Sequence, residues 1–319
     1  MIDQNGLIQI INNAAPIVAT SPVLVKLTEC ITDVFKTLYS PRLTFRKGKA
    51  EVDVDMYRKK KEMELFDNQS FTLYEITRLK NFVNSAKFAS LELECDDDSV
   101  FSNEDIDFDW IMRFFDAVGN NSNEELQLLW GKVLAGEIRS PGKCSLRTLD
   151  IIRNMSANEA GIFNKLCSLV VHSGDCSFIF SNGFQKYDGI NRYSKACIQK
   201  EGFVYSSDII PMIECGLISV DNALSTDFKT ENTLVFFNKS IICLAIDETQ
   251  TNDFTIEPYY LTSSGIELYH IISAGAIFQE NRDYMLSCCK EFKEYYPDLV
   301  FSARNIHQDS DQLFDEFLV

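Results

Sequence analysis

The chain reads as a mainly helical α+β protein: N-terminal helices, a central helical bundle, and a C-terminal winged-helix-like domain with a β-ribbon. Three observations predict this. Between residues 104 and 173, apolar residues recur at helical spacing in four short runs separated by tight turns. After Gly174 the apolar runs become short and nearly continuous, with turn residues between them. The composition, 45% apolar and 24% charged over 319 residues, suits packed cores and two or three domains. The expected organisation is a helical and basic region at 1–91, an acidic linker at 92–103 and a bundle at 104–173. A winged-helix-like α/β domain at 174–275 and a helix with an acidic tail at 276–319 complete it.

Taken in order, Ser21-Pro22 has the form of an N-cap followed by proline in the first helical turn. Leu24, Leu27, Ile31, Val34, Phe35 and Leu38 then mark one helix face. The next segment is basic, with Arg42, Arg46, Lys47, Lys49, Arg58, Lys59, Lys60 and Lys61 set against three acids. These eight side chains are candidate contacts for phosphate or anionic lipid; no aromatic stacking platform accompanies them, so a solvated helix face or connector is the plainer account. From Glu92 to Asp109 the balance inverts to nine acids and no base. Asp105, Asp107 and Asp109 imitate the start of a calcium loop. Trp110 and Asp116, however, stand where that loop needs glycine and glutamate, so these acids are expected at the positive end of the following helix.

Ile106, Trp110, Phe114 and Val118 predict an aromatic helix face that ends at Gly119-Asn120-Asn121. Ser122 and Glu125 read as a capping box for a second helix, lined by Leu126, Leu129, Trp130, Val133 and Leu134. Ser145 caps a third helix through Met155, and Ser156 with Glu159 opens a fourth that runs past Val170. Arg139, Lys143, Arg147 and Arg153 form a basic island around the turn between the second and third helices. Glu137 and Arg147 are expected to pair across it.

Beyond Gly174, Ser206 to Gly216 reads as a short helix closed by glycine at C′. Residues 233–237 and 240–246 form a hairpin, and Phe254 to Tyr260 a strand that Pro258 confines to a sheet edge. Leu261 to Ile272 returns to helix, as does Asn281 to Tyr296. In the tail, Leu313, Phe314, Phe317 and Leu318 outline an acidic amphipathic helix. Helix, Gly216-Leu217-Ile218, ribbon and closing helix follow the order of a winged helix.

A net charge of −17 repels polyanions over the surface as a whole, which makes nucleic acid an unfavoured partner. Ten cysteines without a CxxC pair, and three histidines far apart in sequence, match reduced thiols in a cytoplasmic protein better than a metal centre. His172 is read as the end of a helix, His270 as part of an apolar run and His307 as a neighbour of the acidic tail. The apolar stretch Leu7–Val25 is broken by Asn12, Asn13, Pro16 and Pro22 and has no basic flank, so neither a signal peptide nor a spanning helix is expected. No Walker loop, GxGxxG, HExxH or GxSxG occurs. Accordingly no catalytic residue, cofactor or metal is expected.

The run Asn123 to Leu149, continuing to Met155-Ser156, resembles the signature of an uncharacterised bacterial domain-of-unknown-function family related to the Abi-alpha (abortive infection alpha) proteins. Gly216-Leu217-Ile218 and Leu261-Thr262-x-x-Gly265-x-Glu267-Leu268 are similar to the distal part of the same families. The resemblance implies a non-enzymatic bacterial protein acting through a protein partner or a homo-oligomer in antiphage, abortive-infection-type defence. A winged-helix nucleic-acid regulator and a membrane-perturbing effector acting through residues 7–61 are the alternatives. The expected location is the cytoplasm, with peripheral contact to the inner membrane left open.

Overall fold

The computed structural model describes residues 73–94, 102, 104–180, 201–220, 233–238, 241–246, 258–274, 281–295, 300–305 and 316–317. The apolar helix expected at 21–39, all eight basic side chains from Arg42 to Lys61, and His307 lie outside them. The chain divides into two compact units, Met1–Ala157 and Asn158–Val319. The helix-rich α+β class holds.

The first unit is a helical bundle. α1 (Leu73–Glu94) buries Ile76, Leu79, Phe82, Val83, Ala86, Ala89 and Leu93, a stripe at three- and four-residue spacing. It packs on α2 (Phe108–Gly119) and most extensively on α3 (Glu124–Arg139), while α4 (Leu146–Asn154) packs on α2. The aromatic face is core, as its spacing indicates. Trp110 stacks on Phe114 with ring centroids 5.3 Å apart, and Phe114 meets Trp130 edge-on at 5.4 Å. Asp107 caps α2 by accepting from the Trp110 N–H, and Ser145 caps α4 by accepting from the Thr148 N–H.

The cap of α3 differs from the expectation. Asn123 Oδ1 accepts from the Leu126 N–H at 3.1 Å, one residue later than the expected Ser122. Ser122 Oγ accepts from Asn81 Nδ2 instead, within a network in which Gln127 Nε2 donates to Asn81 Oδ1 and to the Asn121 carbonyl. That network ties the α2–α3 turn to α1, and it draws Ser122 out of the capping position.

The second unit opens one residue into α5 (Ala157–Cys167) and continues with the hairpin β1 (Val171–Ser173) and β2 (Cys176–Phe180). A π-helical turn, Tyr205–Ile209, leads into α6 (Ile210–Glu214), so the expected short helix forms in two pitches. Gly216, at φ +74°, sits at C′. Its N–H donates to Ile213 O and the Leu217 N–H to Met212 O, the paired bonds of a Schellman close. Then come β3 (Ile218–Ser219), the ribbon β4 (Thr233–Phe237) and β5 (Ile241–Ile246), β6 (Pro258–Leu261), α7 (Ser263–Ser273), α8 (Arg282–Tyr295), β7 (Val300–Asn305) and β8 (Glu316–Phe317). Among the described residues the strands form one antiparallel sheet in the order β3-β6-β2-β1-β4-β5-β7-β8.

Three expectations are corrected here. β6 is an interior strand, flanked by β3 and β2. Pro258 is tolerated because it is the first residue of the strand, opposite Phe180, and β3 reaches only Tyr260 and Leu261. His172 lies in β1, since α5 already ends at Cys167. In the tail, Glu316–Phe317 pairs with Ser302 and Ala303 as strand rather than helix.

Candidate functional site

The segment carrying the family resemblance folds into a turn whose polar groups are spent on its own geometry. Ten of the 16 residues of α3 are buried, among them Glu137, which is 1% exposed. The chain then reverses through Ser140–Ser145, with Gly142 at φ +80°. Both carboxylate oxygens of Glu137 reach into that reversal: Oε1 accepts from the Gly142 N–H at 2.6 Å and Oε2 from the Cys144 N–H at 3.1 Å. On the far side of the same residue, Trp110 Nε1 donates to the Cys144 carbonyl at 2.7 Å. A buried carboxylate is tolerable only when hydrogen-bonded, and here the backbone supplies the donors. The other member of the expected pair, Arg147, is exposed on α4, as is Arg153, and Lys143 is exposed in the reversal.

Arg139 turns the other way. Its guanidinium donates to the Glu92 carbonyl at 2.8 Å, so a cation meets the C-terminal end of α1 while also occupying the last turn of α3. Lys132 approaches the Glu92 carboxylate at 4.0 Å. Along the α1–α3 crossing, a Cβ on Gly131 would stand 2.4 Å from Phe88 Cβ and 2.9 Å from the Ser85 carbonyl, so only glycine allows that approach.

The two distal motif segments come together in the second unit. Ile218 pairs with Leu261. Thr262 Oγ1 donates to the Gly216 carbonyl at 2.6 Å and accepts from the Gly265 N–H, and the Thr262 N–H donates to the Leu217 carbonyl. One hydroxyl thereby caps α7 and grips the turn before β3. A Cβ on Gly265 would lie 2.0 Å from the Leu217 carbonyl oxygen.

Chemistry-bearing side chains converge at the β1–β2 hairpin. His172 Nδ1 lies 2.9 Å from Ser177 Oγ, and Nε2 lies 3.2 Å from the hydroxyl of Tyr269, a side chain 1% exposed on α7. The imidazole also faces the Phe237 ring, with centroids 5.3 Å apart. His270, beside Tyr269, is exposed rather than buried in the apolar run. Cys215 donates to Glu159 Oε1 at 3.8 Å. Burial first and the Glu159 carboxylate second push its thiol up to about 11, which keeps the sulfur protonated and a poor nucleophile. Among the described residues, no three His, Cys, Asp or Glu side chains gather as a metal site, and no helix is long and apolar enough to cross a membrane.

The model of the family described as "Protein of unknown function (DUF2806)" matches residues 51–285. The chain belongs to this family. No curated protein and no solved structure matches it. The DUF2806 match takes in the Glu137 turn, the Thr262 junction and the His172 hairpin. Of the basic segment it covers Arg58, Lys59, Lys60 and Lys61 and leaves out Arg42, Arg46, Lys47 and Lys49. Sequence reasoning singled out Glu137 but missed the Gly142 and Cys144 amides that donate to it, and it missed Ser177 and Tyr269 beside His172. Only the two-residue turn Gly174-Asp175, which sets His172 opposite Ser177, could have pointed to that pair.

Proposed function

We propose that this DUF2806 protein is bacterial, akin to the Abi-alpha proteins, and acts through protein–protein contacts in abortive-infection-type antiphage defence. The observation that carries the reading is the Glu137 turn. Its buried polar groups, Glu137, Cys144 and the Trp110 indole, are engaged with one another, which fits a scaffold that presents a surface. The exposed side chains on and around it, Lys143, Arg147 and Arg153, are the ones free to meet a partner or a second copy. The order of α6, Gly216-Leu217-Ile218, the β4–β5 ribbon and α7 supports a winged-helix-like element used for protein rather than DNA. Asp221, Asp227, Glu231, Asp247 and Glu248 surround the ribbon in sequence, and Lys239 is the lone base at its turn.

The test is a phage challenge of a bacterial host expressing the full chain, coupled to light scattering of the purified protein. The reading expects plating efficiency to fall for at least one phage, with culture collapse before burst, and a mass above the monomer or a stable complex. Unchanged plating across a broad phage panel together with a strict monomer would overturn it. Retention on DNA that weakens with salt would move the assignment to the nucleic-acid regulator, and flotation with anionic liposomes to the membrane effector.

A further inference from the structure

The contact reading leaves the His172 hairpin unused. With Gly174 and Asp175 as the two turn residues, Ser173 and Cys176 close the ladder. His172 and Ser177 then face each other at the next rung, where opposed side chains come closest. The register alone brings a hydroxyl to an imidazole. What it does not supply is the third member: Tyr269 arrives from α7, 97 residues away from His172, and its buried hydroxyl meets the other ring nitrogen at 3.2 Å. A hydroxyl, a base within hydrogen-bond reach, and a rigid group orienting that base make the arrangement of an activated nucleophile. His172 and Ser177 are both partly exposed, so a reactant can approach.

We propose that Ser177 is a nucleophile, that His172 is its general base and that Tyr269 is a positioning residue holding the imidazole. When Nε2 carries the ring proton and donates it to the Tyr269 hydroxyl oxygen, Nδ1 is left as the acceptor facing Ser177. As Ser177 Oγ adds to an ester carbonyl carbon, its proton passes to Nδ1. Collapse of the adduct breaks the bond to the alkoxy oxygen, which leaves as the alcohol with that proton. Water then adds to the acyl-serine by the same route, giving up a proton to Nδ1, and Ser177 regains its hydroxyl as the acid departs. The aromatic walls, Phe237 and Tyr269, and the overall charge of −17 select an uncharged carboxylic ester over an anionic one.

The experiment treats the full folded chain with an alkyl fluorophosphonate, which a serine nucleophile attacks with loss of fluoride, and locates the adduct by peptide mass spectrometry. Hydrolysis of p-nitrophenyl butyrate is followed in parallel. The expected result is an adduct on Ser177, absent in Ser177→Ala, with both rates about 100-fold lower in His172→Gln, the scale of general-base assistance. Tyr269→Phe is expected to keep the adduct but to change the pH dependence of its rate. A folded wild-type chain in which Ser177 stays unmodified overturns the proposal, as does labelling of Ser177 at an unchanged rate in a folded His172→Gln variant. Neither result bears on phage plating, so the contact reading stands or falls separately.

Discussion

Trp110 Nε1 donates to the carbonyl of Cys144 across 2.7 Å, joining the first turn of α2 to the reversal between α3 and α4. The same residue's N–H is already held by Glu137, so this one peptide stretch is fixed from two helices at once. Trp110→Phe keeps the stack on Phe114 and removes the donor. An unmet buried carbonyl costs about 1–3 kcal/mol, and the urea midpoint should fall by the corresponding amount at an unchanged slope. An unaltered midpoint would mean that the bond contributes nothing to holding the turn.

Glu137 separates two accounts of that turn. Both of its oxygens accept from backbone amides, so Glu137→Ala strands the buried Cys144 N–H, turns the exposed Gly142 N–H over to water and is expected to cost about 1–3 kcal/mol, a loss large enough to see by thermal melting. Glu137→Gln keeps one acceptor and should lie between Ala and wild type. Arg147 is exposed on α4, so Arg147→Ala should cost no more than about 0.5 kcal/mol. A large drop in the Arg147→Ala melt would restore the ion pair as the main tie.

Glycines at crossings give a graded series. Gly265→Ala drives a methyl into the Leu217 carbonyl and is expected to cost about 3 kcal/mol or more. Gly131→Ala meets Phe88 and the α1 backbone; helix propensity returns about 1 kcal/mol, leaving a net loss of about 1–2 kcal/mol. Gly161→Ala, inside α5 with nothing within 4 Å of the new methyl, should stabilise by about 0.5–1 kcal/mol. Equilibrium unfolding of the three variants checks the order.

Cys215 and Cys176 should part company in alkylation. With its thiol pushed up to about 11 by burial and by Glu159, Cys215 should react with iodoacetamide far more slowly at pH 8 than the exposed Cys176, gaining rate only as pH approaches 11. The fold favours the protonated thiol, so this contribution to stability is present below about pH 9 and is lost as pH rises towards 11. Comparable labelling of both cysteines at pH 8 in the folded chain would contradict this.

How far the architecture could be read in advance depended on whether the deciding interactions were local. The helices α2, α3 and α4, the Ser145 cap and the Gly216 close rest on contacts within a few residues, and each appears at its expected place. The stripe of α1 is equally periodic, and the helix starts within the helical and basic region expected at 1–91. What escaped was set by distant partners. Ser122 leaves the cap to Asn123 and accepts instead from Asn81, 41 residues away; β6 is interior because β3 pairs with its last two residues; and Glu316–Phe317 takes strand geometry from β7. The candidate site follows the same rule. The hairpin rung that sets His172 against Ser177 was available from spacing, whereas Tyr269 was not.

The junction at Thr262 has a mechanical consequence. The loop leaving α6 and the start of α7 share the Leu217 carbonyl, which receives the Thr262 N–H and leaves no room for a side chain at Gly265. Tyr269 stands about one turn beyond Gly265 on that helix, so a tilt imposed at Leu217 swings the phenol away from the imidazole it touches. A bulky residue at 265 would thus work as a lever, unseating His172 while altering no atom of the hairpin itself.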